Sequence, residues 1–128
     1  MDYYKPCAEL TRCNELIDEY FLNGKYRECF EGHLPLAEAG YPLAECQIGY
    51  FYWQGLGVEK NMDKALYWTR RGAQHGDWDA QYNLGYFYEN GLGLERNMEQ
   101  AKLWYCRAAA QRQDEALARC KELGIEEF

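Results

Sequence analysis

One stretch of the sequence is written twice, 36 residues apart. Residues 49–61 read GYFYWQGLGVEKN, and residues 85–97 read GYFYENGLGLERN. A fixed period of this length is typical of repeat architectures, in which one unit cannot bury its apolar face alone and stacks on a copy of itself. An alanine recurs with the same period at positions 8, 44, 80 and 116. The period therefore predicts a stack of similar units along the chain.

Each unit is predicted to contain two helices. In the first copy Ala44, Ile48 and Phe51 recur at helical spacing, and the GLG stretch that follows is predicted to end the helix, because glycine adopts positive φ at little cost. Asn61 and Asn97 are predicted to cap the second helices by accepting a backbone N–H of the first turn. Gln100 stands at the capping-box position after Asn97.

Two positions in the repeat indicate how the helices pack. Gly49 and Gly85 both lie in the middle of a predicted helix, where glycine costs about 1 kcal/mol relative to alanine. Their recurrence in register predicts that two helices touch backbone to backbone, with Ala65 and Ala101 at the facing positions. Gly76 is predicted to end the second helix. Arg112 takes its place in the next copy, which predicts a weaker stop there.

These motifs resemble the Sel-1-like repeat, a relative of the tetratricopeptide repeat. The matching segments are AECQIGYFYWQGLGV with KALYWTRRGA, and AQYNLGYFYENGLGL with QAKLWYCRAA. The resemblance covers residues 44–115 and implies an all-α fold, a right-handed α-solenoid of helical hairpins.

The expected organisation is a single repeat domain over residues 1–128. Residues 8–43 are interpreted as a degenerate, tetratricopeptide-like hairpin with helices at 8–22 and 25–39. Residues 44–79 and 80–115 are the two full repeats, and residues 116–124 are expected to form a capping helix. Cys13 stands where the full repeats have the mid-helix glycine.

Composition excludes several classes of function. The net charge of −7, concentrated in the first 43 residues, would repel nucleic acid and attract a basic protein. The chain has no serine and only two histidines, so a serine nucleophile and a histidine-rich metal site are both excluded. No cofactor or metal is expected. The sequence shows no secretory signal and no long apolar run, which predicts a cytoplasmic protein without a membrane segment and with reduced cysteines.

Two pairs of residues that involve cysteine are candidate sites. Cys29 and His33 lie four residues apart on one face of a predicted helix, so they could form a thiolate pair. However, Cys29 occupies the repeat position of Ala65, which favours a packed thiol. Some cysteine-rich members of the family that this chain resembles carry disulfides at a fixed spacing, which this chain does not follow. Cys106–Cys120 is the most plausible bridge.

The same resemblance implies that the first helices of the units line a concave groove. Aligning the units places one set of side chains there, of which the aromatic members suit an interface because they supply large contact area with little rotamer entropy. The alternative is that these aromatics complete the stacking between hairpins. The predicted partner-binding residues are Tyr50, Trp53, Gln54, Tyr82, Tyr86, Glu89 and Asn90, with Cys46, Leu10, Asn14, Ile17 and Asp18 at related positions.

The sequence thus favours a non-catalytic protein-interaction module or adaptor. It would hold a peptide or protein segment, with a basic partner favoured by charge, and act as a monomer. The alternatives are a homo-oligomeric scaffold, a neutralising partner of another protein and, more remotely, a thiol-dependent hydrolase. The groove hypothesis also predicts that Trp53→Ala and Tyr86→Ala weaken partner binding and leave the thermal midpoint nearly unchanged.

Overall fold

The computed structural model describes residues 4–128, and within that range the chain forms seven α-helices and no strand. The helices are α1 (Ala8–Glu19), α2 (Tyr26–Glu38), α3 (Pro42–Gln54), α4 (Met62–Gln74), α5 (Trp78–Asn90), α6 (Met98–Ala110) and α7 (Asp114–Glu122), with a 3₁₀ turn at Phe21–Asn23 after α1. Each helix packs mainly on its neighbours in the chain. The all-helical prediction is confirmed, and the hairpins stack as an α-solenoid.

The helix ends are fixed by the residues that the sequence indicates. Gly55 and Gly91 cap α3 and α5 in left-handed conformations, with φ of 67° and 64°. The Asn61 side chain accepts the Lys64 N–H at 3.0 Å, and Asn97 makes the same cap. The Gln100 side chain does not complete a capping box, because the Asn97 N–H donates to the carbonyl oxygen of Tyr88 at 2.9 Å. Each loop is thereby tied back to its own first helix.

The mid-helix glycines lie where the helices of each repeat meet. A Cβ atom on Gly49 would lie 2.5 Å from Thr69 Oγ1 and 3.2 Å from the carbonyl oxygen of Ala65. A Cβ atom on Gly85 would lie 2.7 Å from the Tyr105 ring and 3.2 Å from the carbonyl oxygen of Ala101. Since a real side chain does not fit at these distances, the predicted backbone contact is confirmed in both repeats.

The substitution of arginine for glycine after α6 does not move the end of that helix. Gly76 follows α4 with φ of 99°, and Arg112 follows α6 with φ of 70°. Both helices end at the same point of the repeat, and the weaker stop stays a prediction about energy. The two stops differ in energy, because a residue with a Cβ atom, such as Arg112, costs about 1–2 kcal/mol in the left-handed conformation.

The core runs through the stack as three groups of small and aromatic side chains. The first lies between the N-terminal hairpin and α3, and includes Cys13, Cys29 and Phe51. The second and third lie between the later hairpins and contain many alanines, such as Ala80 and Ala101. Each second helix packs between two first helices, and the remaining faces of the first helices form a surface.

Candidate functional site

The first helices of the hairpins line two adjoining cavities. The smaller cavity, of about 270 Å³, lies among Gln47 and Tyr50 of α3, Asp79 and Asn83 of α5, and Glu115 of α7. The larger, of about 500 Å³, includes Leu10 and Ile17 of α1, Leu43 of α3 and Trp78 of α5. Gln47 and Asp79 line both. We name the surface formed by these two cavities the first-helix groove.

The groove repeats with the period of the sequence. Leu43, Gln47 and Tyr50 follow one another at i, i+4 and i+7 along α3, which places them on a single face of the helix. The same three repeat positions of α5 carry Asp79, Asn83 and Tyr86. Neither the Gln47 nor the Asn83 amide has a hydrogen-bond partner among residues 4–128. Adjacent helices thus present two half-buried amides at equivalent places.

The charge of the groove is negative. Asp77, Asp79 and Glu115 line the two cavities, and no lysine or arginine does so among the described residues. Asp79 accepts a hydrogen bond from the Gln113 side-chain amide at 3.1 Å, and neither Asp79 nor Glu115 forms an ion pair within residues 4–128. The carboxylates therefore face the groove without a cationic partner.

Asp77 is the buried member of this acidic set. It caps α5 by accepting the Ala80 N–H at 2.7 Å, and its second oxygen accepts a hydrogen bond from the Tyr4 hydroxyl. Burial raises the pKa of Asp77 to about 6. Its negative charge at neutral pH is therefore destabilised by burial. Asp77 lies between the N-terminal segment, through Tyr4, and the larger cavity of the groove.

Four of the predicted residues lie on the groove face of their helices. Tyr50 lines the smaller cavity, and Tyr86 is 37% exposed at the equivalent position of α5. Gln54 and Asn90 continue the same faces at the exposed C-terminal ends of α3 and α5. Asn90 donates from its amide to the Tyr86 carbonyl oxygen at 3.0 Å. That these four residues contact a partner remains a prediction.

The other three predicted residues pack on neighbouring helices of the stack. The Trp53 ring packs edge-on against Phe87 at 4.8 Å between centroids. Tyr82 packs on the Tyr105 ring at 5.5 Å. Glu89 pairs with Arg119 and accepts the Tyr105 hydroxyl at 2.7 Å. Trp53 and Glu89 thus contact the next first helix, whereas Tyr82 contacts the second helix of its own unit, and Cys46 is buried. That any of these residues contacts a partner stays a prediction.

The sequence reasoning missed the polar residues of the groove, which are Gln47, Asn83, Asp79 and Glu115. A signal was present: Gln47 and Asn83 are amides at the same place in both copies, three residues after the recurring alanine, and the residues on either side of them are apolar. The residue directly before the recurring alanine is likewise acidic in α5, as Asp79, and in α7, as Glu115. Polar residues recurring in register on an otherwise apolar helix indicate its open face.

The Cys29–His33 pair is a buried contact. The His33 ring nitrogen Nδ1 lies 2.9 Å from the Cys29 carbonyl oxygen and 3.5 Å from Cys29 Sγ, and both side chains are fully buried. Burial raises the pKa of the Cys29 thiol to about 11 and lowers the pKa of His33. The pair therefore lacks both the thiolate and the access that a nucleophile needs.

The remaining cysteines are also free thiols. All six are unpaired, and Cys106 packs against the core group that contains Cys120. Burial, followed by the nearby Cys106 thiol, raises the pKa of Cys120 to about 11. The structure has no disulfide between Cys106 and Cys120, the most plausible pair, although the two thiols are neighbours. Among residues 4–128, no three histidine, cysteine or acidic side chains are placed to hold a metal ion.

The fold and the groove define a helical-repeat protein with an open face along its first helices. The Sel1 repeat matches residues 42–77 and 78–112, which is more than half of the chain. The chain belongs to the Sel1 repeat family. Each matched unit begins at the first residue of α3 or α5.

Solved structures with this fold come from several bacteria. A Sel1 repeat protein from Oxalobacter formigenes is 34% identical, with a TM-score of 0.80 over 92% of this chain and 45% of its own. The protective antigen c5321 of uropathogenic Escherichia coli is 27% identical, with a TM-score of 0.75 over 91% of this chain and 24% of its own. Helicobacter pylori cysteine rich protein B, at 23% identity and a TM-score of 0.74, covers 86% of this chain and 84% of its own, and shows the fold alone.

One curated protein matches a shorter segment. The chitin synthase regulator SKT5 of Saccharomyces cerevisiae is 40% identical over 50 residues, which is 39% of this chain and 7% of that protein. The chain thus spans less than half the length of this relative and of the first two bacterial structures. Sel1 repeat proteins are typically protein-interaction modules and are generally non-catalytic. No helix within the described residues has the length and apolar character to cross a membrane.

Proposed function

We propose that this protein is a non-catalytic adaptor that holds an extended segment of a partner protein in the first-helix groove. The observation that carries the proposal is the repeated groove face, on which Gln47 and Tyr50 of one helix are matched by Asn83 and Tyr86 of the next. Side-chain amides offer both a donor and an acceptor, so they can bind the backbone of an extended chain. Tyrosine adds contact area at a small cost in rotamer entropy.

The partner segment is proposed to be basic. The acidic residues of the groove have no cationic partner within the described chain, and the whole protein carries a charge of −7. Complementary charge speeds association and disfavours acidic competitors. The net negative charge also opposes self-association, which favours a monomer over a homo-oligomeric scaffold. Six unpaired thiols suit a reducing compartment such as the cytoplasm.

The test uses a displayed library of random dodecapeptides, selected against the full chain held through its C-terminus. Ligands that are recovered are then measured by fluorescence anisotropy against the double variant Gln47→Arg, Asn83→Arg. The matched control is Asp63→Arg, Glu99→Arg, which adds arginine at exposed positions of the second helices. Since all four side chains are at least partly exposed, both variants should keep the helical circular dichroism spectrum of the parent chain.

The proposal expects the groove variant to weaken binding by about tenfold or more, because two long cations would fill the space and repel a basic segment. The control should bind within about twofold of the parent. Ligands that bind the groove variant as tightly as the parent would overturn the proposal. So would a selection in which no peptide binds the folded chain.

A further inference from the structure

We propose that the first-helix groove recognises two side chains of its partner segment, a basic one in the smaller cavity and an apolar one in the larger. The two side chains would lie two or three residues apart in an extended chain. This inference rests on the proposed function, since it specifies which segment the groove accepts.

The smaller cavity has the form and charge of a site for one cationic side chain. Its volume of about 270 Å³ lies below the range of about 300–1,000 Å³ that is usual for clefts that hold a whole small molecule. Asp79 and Glu115 approach it from α5 and α7, and the Tyr50 ring forms part of its wall. Carboxylates and an aromatic face are the groups that attract a lysine or arginine head.

No cation of the chain itself fills this position within the described residues. Arg112 lies beside Asp79 and Glu115 in a separate cavity, and it forms no ion pair with either of them. The fully buried Glu45 and the partly buried Glu89 are paired with Arg71 and Arg119, whereas the exposed Asp79 and Glu115 have no cation within the described residues.

Apolar side chains from three helices line the larger cavity, together with Asp77 and Asp79. Leu10 and Ile17 of α1 face Leu43 of α3, and Trp78 of α5 closes the end. All four are partly rather than fully buried, so the cavity opens on the groove. An aliphatic or aromatic side chain that enters it would gain about 25 cal/mol for each Å² of apolar surface removed from water. The larger cavity therefore offers more contact to an apolar side chain than the smaller cavity does.

The distance between the cavities sets the spacing of the two side chains. Both cavities are bounded by Gln47 and Asp79, so they are successive sites along the groove. Packed helices lie about 8–10 Å apart, and an extended chain advances about 3.3–3.6 Å per residue. A step of one helix thus corresponds to about two or three residues. The Gln47 amide lies at the shared wall, where it can bind the backbone between the two side chains.

The test measures binding of defined peptides to the intact chain. The probes are fluorescein-labelled, acetylated and amidated decapeptides of glycine, serine and asparagine that carry one leucine and one lysine, separated by one to six positions. Two further series replace lysine with glutamine or leucine with asparagine. The protein variants are Asp79→Asn, Glu115→Gln in the groove and Asp63→Asn, Glu99→Gln on the second helices, which remove the same charge at exposed sites.

The peptides with a separation of two or three should bind at least about fivefold more tightly than the others. Replacing their lysine or neutralising Asp79 and Glu115 should each cost about fivefold to tenfold, whereas the second-helix control should cost less than about twofold. The lysine-to-glutamine peptides test the same contact on the native protein, so a groove variant that failed to fold would not remove the test.

Binding that is indifferent to lysine, or to its separation from leucine, would overturn this inference. If the ligands recovered from the random library still bound in the groove, the proposed function would stand and only the two-side-chain inference would fail. Failure of both peptide sets to bind would overturn both.

Discussion

The substitution Gly49→Ala provides a test of the helix contact, because two physical effects predict opposite signs. Alanine stabilises the middle of an exposed helix by about 0.8–1.0 kcal/mol relative to glycine. At Gly49, however, the added methyl would lie 2.5 Å from Thr69 Oγ1 and 3.0 Å from the Thr69 backbone nitrogen. Overpacking of this kind costs about 1–3 kcal/mol, and a backbone atom cannot turn away as a side chain can.

We expect the cost of overpacking to exceed the gain in helix propensity, so that Gly49→Ala lowers the free energy of unfolding by about 1–2 kcal/mol. The thermal midpoint should fall by roughly 3–10 °C. Urea denaturation followed by circular dichroism measures the change. The control is Ala118→Gly at an exposed position in α7, which measures the propensity effect alone and should cost about 0.5–1 kcal/mol. If Gly49→Ala stabilises the protein by as much as Ala118→Gly destabilises it, the two helices do not touch at this point.

Three further predictions follow from single contacts. The Trp53 ring packs on both Tyr86 and Phe87, whereas the Tyr86 ring is 37% exposed. Trp53→Ala should therefore cost about 2 kcal/mol and Tyr86→Ala less than about 1 kcal/mol in thermal unfolding, and equal losses would refute the assignment. Arg112→Gly should stabilise the protein by about 0.5–1 kcal/mol in urea, since it relieves a left-handed conformation, and a loss of stability would show that the arginine is not strained. The folded pKa of Asp77, about 6, exceeds its unfolded value, so this group's contribution to stability is lost as pH rises through 6. Asp77→Asn should therefore gain up to about 2 kcal/mol over the parent between about pH 4.5 and about pH 7.5, and a constant difference would contradict this.

The architecture could be predicted from the sequence because the residues that determine it recur in register. Gly49 and Gly85 mark the helix contact, and Asn61 and Asn97 mark the start of the second helices. A repeated packing requirement has to be met by the same residue type in each copy, so it is visible as identity. Arg112 shows the limit of this reasoning, since tertiary packing ends α6 at the same point without the glycine.

The groove could be predicted only in part because its location depends on how far each first helix is rotated about its axis. One residue turns a helix by about 100°, so a small error in register exchanges the open face for the face that meets the next unit. Tyr50 belongs to the open face, whereas Trp53, three residues later, meets α5. Both are aromatic, and aromatic character suits an interface and a core equally. The amides Gln47 and Asn83 distinguish the two faces better.

Comparing the two repeats residue by residue separates buried positions from positions on the groove face. Phe51 and Phe87 are identical and fully buried, whereas Leu43 on the groove face of α3 is replaced by Asp79 on α5. Side chains that are buried between helices are constrained by shape, whereas those on the groove face can differ in polarity without disturbing the core.

The most direct test of this account is the mapping of a library-selected peptide on the protein by NMR, using the side-chain amide resonances. The account predicts that the amides of Gln47 and Asn83 shift on titration, while those of the helix caps Asn61 and Asn97 stay in place. Shifts confined to Asn61 and Asn97, with Gln47 and Asn83 unmoved, would place the ligand away from the first helices and contradict the account.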